Sequence, residues 1–256
     1  HSSVHDPSLT PYKDALRAFY HQKWIKPWEA YNAQHASVVT AVSRYTAGQV
    51  ARAFGRADIK IIYNWIDTNI YSPIARNRPH YPFRLLYIGK LGRLKGSDLL
   101  PKIMRCLGPD FELWYTGSPD YFGSTIIPRN MTHIGRLEGD AALVAAYRDA
   151  DALLFPSRLE GLSLVALEAQ ACGLPVLTTD VASMPEVIID NKTGVLCPID
   201  EVEAFVTAAR FLRDQPARWR QMGEQARYRA TLFFGEEIAL QHWISIYKRC
   251  ISSARL

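Results

Sequence analysis

The residues best suited to chemistry gather in one run, Pro156–Pro175, which reads PSRLEGLSLVALEAQACGLP. Glu160 falls in a loop after an apolar strand pattern, Gly161 lets the backbone approach a ligand closely, and Ser163 has the type and place of a helix N-cap. A loop feeding such a helix aims unpaired backbone N–H groups and the positive end of the helix dipole at one point. That arrangement suits an anion such as a phosphate. Glu168 follows eight residues after Glu160. On one helix the two would stand about 12 Å apart along the axis. Paired carboxylates flanking a single glycosidic bond in hydrolases are only ~5–9.5 Å apart. The pair therefore suits two ends of an extended ligand; taken alone, a loop Glu beside a helix Glu is the plainer alternative.

Other chemistries lack their residues. No Ser–His–Asp or Cys–His pattern marks a nucleophile. Gly89, Gly92 and Gly96 are spaced wrongly for a dinucleotide fingerprint, and no Lys-Ser/Thr pair completes a phosphate-binding P-loop. Cys106, Cys172, Cys197 and Cys250 are scattered without zinc spacing, and read as reduced core residues of a cytoplasmic protein.

The elements that must position this run alternate short apolar strands with amphipathic helices. Strands are predicted at Phe83–Gly89, Phe111–Gly117, Met131–Gly135, Asp151–Pro156, Pro175–Thr179 and Gly194–Cys197. Helices are predicted between them at Asp98–Leu107, Asp140–Arg148, Ser163–Cys172 and near Pro185–Ile189, and later at about 201–213, 216–230 and 236–252. This alternation implies right-handed crossovers and a parallel sheet covered on both faces, with ligand at the carboxyl ends of its strands. The first third differs. A long helical stretch, Tyr12–His35, interrupted or kinked at Pro27, precedes a strand (Ser37–Val42), a helix ending at Gly55 and a strand (Ile59–Tyr63). Asn64–Pro82 has no periodicity and reads as a linker.

Composition excludes several classes. Of 256 residues 48% are hydrophobic and 21% charged, with mean hydropathy −0.11, which excludes a disordered tail, a fibrous repeat and a membrane-spanning bundle. Residues 81–256 carry 20 basic and 20 acidic side chains, whereas residues 1–80 carry 10 and 5, so the net charge of +5 lies entirely in the first third. This points to an anionic partner there, yet no nucleic-acid-binding motif accompanies it. His1–Pro7 has neither a basic start nor an apolar core, so no signal peptide is expected.

The run at Pro156–Pro175 resembles the signature of the family-4 retaining glycosyltransferases (group 1, GT-B fold). Their pattern is Pro-Ser, a Glu, seven residues, a second Glu, then Ala-x-Ala-x-Gly-x-Pro-Val. Pro156-Ser157, Glu160, Glu168, Ala169, Ala171, Gly173, Pro175 and Val176 match it. Matches continue in family order at Ala41-Val42-Ser43, Tyr63–Asp67, Gly89-Lys90, Lys95-Gly96, Gly117, Gly135, and Pro185–Ile188 leading to Gly194, covering about residues 37–235.

The resemblance implies one complete Rossmann-like domain with a doubly wound parallel sheet at 79–235, binding the donor nucleotide sugar. It further implies the C-terminal remnant of a second, acceptor-side Rossmann-like domain with its linker at 1–78, and a helix at 236–256 returning toward that domain. By position, Glu168 bonds the donor ribose, Glu160 the donor sugar, and Lys95 neutralises the pyrophosphate. The backbone of Gly161, Leu162, Ser163 and Leu164 holds the pyrophosphate or sugar, and the loop containing Gly135, Arg136 and Leu137 cradles the base. Lys90 stands where the family usually has Arg, keeping the charge without the bidentate fork, and Trp65 replaces its usual linker Gly. His5 stands where relatives carry a His facing the donor sugar, or else is a terminal residue without that role. His133 reads as a packed strand-end residue. Asp149-Ala150-Asp151 matches the metal-binding Asp-x-Asp of the other major glycosyltransferase fold, but at a helix end entering a buried strand it reads as structural.

The expected activity is metal-independent retaining transfer of a sugar from a UDP-, GDP- or ADP-linked donor to an acceptor hydroxyl, as in polysaccharide biosynthesis, with no other cofactor. The alternative is a nucleotide-sugar-binding subunit completed by a partner chain; a sugar-nucleotide epimerase is disfavoured by the two glutamates. A full two-domain transferase would need on the order of 100 further residues before His1, judged from equal-sized halves. Tyr12–His35 interleaves Phe19, Tyr20, Trp24, Trp28 and Tyr31 with Lys13, Arg17, Lys23 and Lys26. Its aromatics are expected to pack on the remainder of the acceptor-side domain, or to lie on an anionic membrane surface from the cytoplasmic side.

Overall fold

A computed structural model of the chain describes Asp6 and residues 15–253. Helix α1 (Ala15–Tyr20) passes through one wide π turn (His21–Ile25) into α2 (Lys26–His35). The sequence expects an interruption or kink at Pro27, and the α-helix is indeed broken beside it by the π turn, though the chain stays helical throughout. Pro27 sits in the first turn of α2, just after the Lys26 N–H reaches back to the His21 carbonyl. The wider turn absorbs the hydrogen bond that proline cannot donate.

Strand β1 (Thr40–Ala41), helix α3 (Arg44–Phe54) and strand β2 (Lys60–Ile61) form a single parallel crossover unit. Ser43 caps α3 by accepting from the Thr46 N–H, and Gly55 ends it in the left-handed conformation (φ 69°). Both strands are shorter than their apolar patterns suggest. Each has one neighbour among the described residues, and only two residues of each complete the ladder.

The main sheet has six parallel strands: β3 (Phe83–Tyr87), β4 (Phe111–Tyr115), β5 (Met131–His133), β6 (Ala152–Phe155), β7 (Val176–Thr179) and β8 (Gly194–Cys197). Their spatial order is β5-β4-β3-β6-β7-β8, so the winding reverses between β3 and β6. Strands β6 and β7 are buried at every residue, as a parallel strand covered on both faces requires. Helices α4 (Leu100–Leu107), α5 (Gly139–Arg148), α6 (Leu164–Ala171), α7 (Met184–Val187), α8 (Val202–Asp214) and α9 (Pro216–Phe234) complete the domain. Leu100, Ile103, Met104 and Leu107 give α4 a buried stripe at helical spacing, and α4 packs beside α8 while α6 packs along α9. At Gly235 the chain turns into α10 (Glu236–Ser253). There it pairs with the linker, the Ile66 N–H bonding the Phe234 carbonyl at 2.9 Å.

Two of the four cysteines depart from the core reading. Cys172 and Cys197 are buried, but Cys106 is exposed and Cys250 half-exposed. Burial holds the Cys172 and Cys197 thiols up at about 12.

Asp151 shows how the linker is fastened to the sheet. Its side chain is fully buried and accepts from Arg76 Nη2 at 2.5 Å, from the Arg84 N–H at 2.7 Å and from the His80 N–H at 3.1 Å. Trp219 Nε1 donates to its carbonyl at 2.7 Å, and the Arg76 guanidinium lies over the Trp219 ring. The carboxylate is thus consumed in holding linker and sheet together, while the carbonyl of the same residue holds α9. Asp151→Ala strands a partly buried arginine and is expected to cost about 3–5 kcal/mol. Equilibrium urea denaturation measures this as a lowered midpoint at unchanged slope.

Candidate functional site

The reversal between β3 and β6 leaves a crevice at their carboxyl ends, where loops run off in opposite directions. After β3 the chain runs through Gly89 and Lys90 to a short 3-10 turn, Arg93–Lys95. After β6 it runs through Pro156 to Glu160 and into α6. The two loops touch at Gly96 (φ 67°): a Cβ there would lie 1.8 Å from the Pro156 carbonyl oxygen, so only glycine fits. Arg158 locks them together. Its N–H bonds the Leu94 carbonyl at 2.9 Å, and its guanidinium bonds the Arg93 carbonyl, Asp98 Oδ1 at 2.7 Å and Asp200 Oδ1 at 2.6 Å. Those two carboxylates hold its charge more firmly than an ordinary arginine's.

This crossing brings Lys95 and Glu160 into contact, though 65 residues separate them in sequence. Lys95 Nζ lies 2.6 Å from Glu160 Oε1, which also accepts from Ser157 Oγ at 2.7 Å. Glu160 is buried, while Lys95 remains partly open to solvent. Glu160 Oε2 has no hydrogen-bond partner among the described residues. Ser163 caps α6 as its type predicts, accepting from the Ala166 N–H. The amide groups of Gly161, Leu162, Ser163 and Leu164 make no hydrogen bond among the described residues, leaving a short row of unused donors beside Lys95 and Glu160.

Glu168 is held from the far side of α6. Tyr147, buried in α5, donates to its Oε2 at 2.6 Å, and Oε1 is left without a partner among the described residues. Burial raises the Glu168 carboxyl above its ordinary value, and the Tyr147 bond works against that rise. Burial likewise pushes the Tyr147 phenol well above its usual range.

A cavity of about 640 Å³ opens at the ends of β3, β4 and β5. Gly89, Lys90, His133, Arg136, Leu137 and Leu143 line it, and Gly135 turns the chain at its rim (φ 76°). His133 is not packed away as its strand-end position suggests. It is exposed on the cavity wall, its ring 5.5 Å from that of Tyr115, because β5 stops there at the edge of the sheet. His5 lies outside the described residues.

Sequence reasoning placed Glu186 only within a family motif and gave it no role. In the structure its carboxylate accepts from the Arg44 and Tyr45 N–H groups at the start of α3, both at 2.8 Å, and from the Tyr63 hydroxyl at 3.0 Å. It therefore joins the first crossover unit to the main domain through a helix N-terminus, where negative charge is stabilised. Thr46 Oγ1 of the same unit and Asn64 Nδ2 at the start of the linker donate to the carbonyls of Gly161 and Leu162, both at 3.3 Å. The loop with the open amides is thus held by its carbonyls from the opposite side.

A parallel sheet in this order, with a lysine and unused amide donors gathered at its switch point, defines a Rossmann-like domain with the features of an anion site. The chain belongs to the group 1 glycosyltransferases: the family model "Glycosyl transferases group 1" matches residues 74–229, and "Glycosyltransferase Family 4" matches residues 1–70. It is 33% identical over 192 residues to a glycogen synthase of Mycobacterium tuberculosis, spanning 70% of this chain and 46% of that protein. It is also 33% identical over 221 residues to a GDP-mannose-dependent phosphatidylinositol monomannoside mannosyltransferase of Mycolicibacterium smegmatis, spanning 75% and 57%. Anabaena HepE, solved with UDP and glucose, superposes with a TM-score of 0.77 at 19% identity, over 87% of this chain and 66% of that one. The fold is that of the GT-B transferases. The chain spans about half the length of the curated relatives it matches.

Glu186→Gln offers one acceptor oxygen and one amide NH2 donor to two N–H groups and a hydroxyl. Hydrogen exchange is expected to show lost protection at Arg44 and Tyr45, with stability reduced by about 1–2 kcal/mol.

Proposed function

We propose that this chain binds a nucleoside-diphosphate sugar and, within a retaining glycosyltransferase, directs its sugar to an acceptor hydroxyl. The observation carrying this reading is the meeting of Lys95 with Glu160, whose Oε2 stays free among the described residues, next to the open amides of Gly161–Leu164. Lys95 and the amides meet the diphosphate, whose negative charge grows as the sugar departs. Glu160 Oε2 accepts from hydroxyls of the donor sugar while Lys95 and Ser157 fix its other oxygen. Glu168 Oε1 accepts from the ribose, and the base lies against Gly135, Arg136 and Leu137, with Lys90 near the phosphates. His5 is assigned to the sugar's other face.

Retention follows from front-face displacement, in which the leaving phosphate takes the acceptor's proton. The protein then supplies alignment and charge stabilisation, not a nucleophile. No metal is assigned a role in this scheme. HepE's UDP and glucose, and the GDP-mannose dependence of the mycolicibacterial relative, support a nucleotide sugar as donor. Residues 1–78 are read as the acceptor-side part, 79–235 as the donor domain, and 236–256 as the returning helix.

A second reading, a donor-binding part completed by another polypeptide, is favoured by the two-stranded sheet β1–β2. Donor hydrolysis by the isolated chain separates the two: turnover supports the enzyme reading, binding without turnover the second.

Calorimetry with UDP, GDP and ADP tests the shared claim. One nucleotide is expected to bind, and Glu168→Ala and Lys95→Ala each to weaken it on the order of 10–100-fold. Binding of none, or affinity unchanged by both substitutions, overturns the assignment.

Contact with an anionic membrane is proposed for 15–35. Leu16, Phe19, Tyr20, Trp24, Trp28 and Tyr31 are all more than half exposed there, among Lys23 and Lys26. No described helix is long and apolar enough to cross a membrane. Vesicles containing phosphatidylglycerol should sediment the chain at low salt and release it at high salt, whereas neutral vesicles should not. Equal recovery with both vesicle types would sink the idea.

A further inference from the structure

Glu168 and its neighbours form a polar cluster around the buried Tyr147, half-buried at Glu168 and exposed at Asp140. Tyr147 and Asp140 reach it from α5, Tyr71 from the linker, and Cys172 from the residue after α6; Arg148 and Arg227 lie beyond, nearer Cys172. The cluster's hydrogen bonds divide into two pairs. Tyr71 donates to Asp140 Oδ1 at 2.8 Å, and Tyr147 donates to Glu168 Oε2 at 2.6 Å, the two rings meeting edge to face at 6.3 Å. The Tyr147 ring is 1% exposed, so it has no freedom to swing away. Its hydroxyl can satisfy its single donor only on Glu168 Oε2 or on the Val165 carbonyl, 3.4 Å off, and the shorter bond goes to the carboxylate.

We propose that Tyr147 is a positioning residue: its buried hydroxyl pins one oxygen of Glu168, so that the other oxygen stands ready for a donor hydroxyl. This rests on the donor-binding role proposed above for Glu168.

Two forces oppose each other at this carboxylate. Burial and the Asp140 charge favour the neutral acid, whereas the phenol hydrogen bond favours the anion. Hydrogen bonds accepted by an anion are worth roughly twice those accepted by a neutral group. The donor grip is therefore strong above the Glu168 carboxyl's own titration point and fades as pH falls through it. Removing the phenol hydroxyl moves that point upward, so the grip fades at higher pH.

Tyr147→Phe retains the ring and removes only the hydroxyl. In the full chain, the nucleotide bound most tightly among UDP, GDP and ADP is titrated from pH 5 to 8 against wild type, Tyr147→Phe, Glu168→Gln and the double variant. Tyr147→Phe is expected to weaken binding on the order of tenfold near neutrality and to shift the fall in affinity to higher pH. In the Glu168→Gln background the same change should cost much less, since no anion remains to be held. A purely structural tyrosine would lower affinity equally at every pH and in both backgrounds, which overturns the proposal. Carboxyl 13C NMR of the nucleotide-free chain provides a readout independent of the donor. There Tyr147→Phe should raise the Glu168 titration point. An unmoved Glu168 resonance sinks the positioning role, whereas absence of nucleotide binding by wild type sinks the functional reading instead.

Discussion

The site depends on one close backbone approach. Gly96 lies against the Pro156 carbonyl, and no side chain fits between them. Because the loops after β3 and β6 meet there, Lys95 reaches Glu160 across the point where the sheet reverses its winding. Arg158 and its two carboxylates then fix the crossing from below, and Ser157 fixes Glu160 from the side. The charges are arranged before any ligand arrives, so binding orders few long side chains. Such preorganisation is how an electrostatic site avoids spending ligand affinity on its own rearrangement.

Around this crossing, polar groups are divided by direction. The carbonyls of Gly161 and Leu162 accept from Thr46 and Asn64, while the amides of the same loop stay open on the other side. Glu160 and Glu168 are divided in the same way, one oxygen of each bound by the protein and one left over. A half-satisfied carboxylate is oriented yet still able to accept, which a solvated or a fully bonded one is not.

Much of this was readable in the chain before folding. The main sheet announces itself because buried parallel strands are short apolar runs, punctuated by Gly108, Gly173 and the prolines that end or precede elements. Ser163 was readable as a cap because capping is local. Glu186 was not, since its partners at Arg44 and Tyr45 lie 142 and 141 residues away and no periodicity encodes a contact between distant loops. Arg158 was hidden for the same reason: beside Ser157 it looks like a surface residue, yet its side chain is only 7% exposed. In the first third, strand propensity overstated β1 and β2 because propensity knows nothing of how many neighbours a strand has. His133 was misjudged because an edge strand ends in the open.

The pairing of Ile66 with Gly235 has a mechanical consequence. The linker at Ile66 and the turn from α9 into α10 at Gly235 are hydrogen-bonded side by side. Tyr63 and Trp65 of the first segment share a small niche with Phe234 and Ile238 of the second. Segments bonded side by side in this way share a load, so a displacement of the linker at Ile66 is carried into the start of α10 instead of being absorbed in a loop.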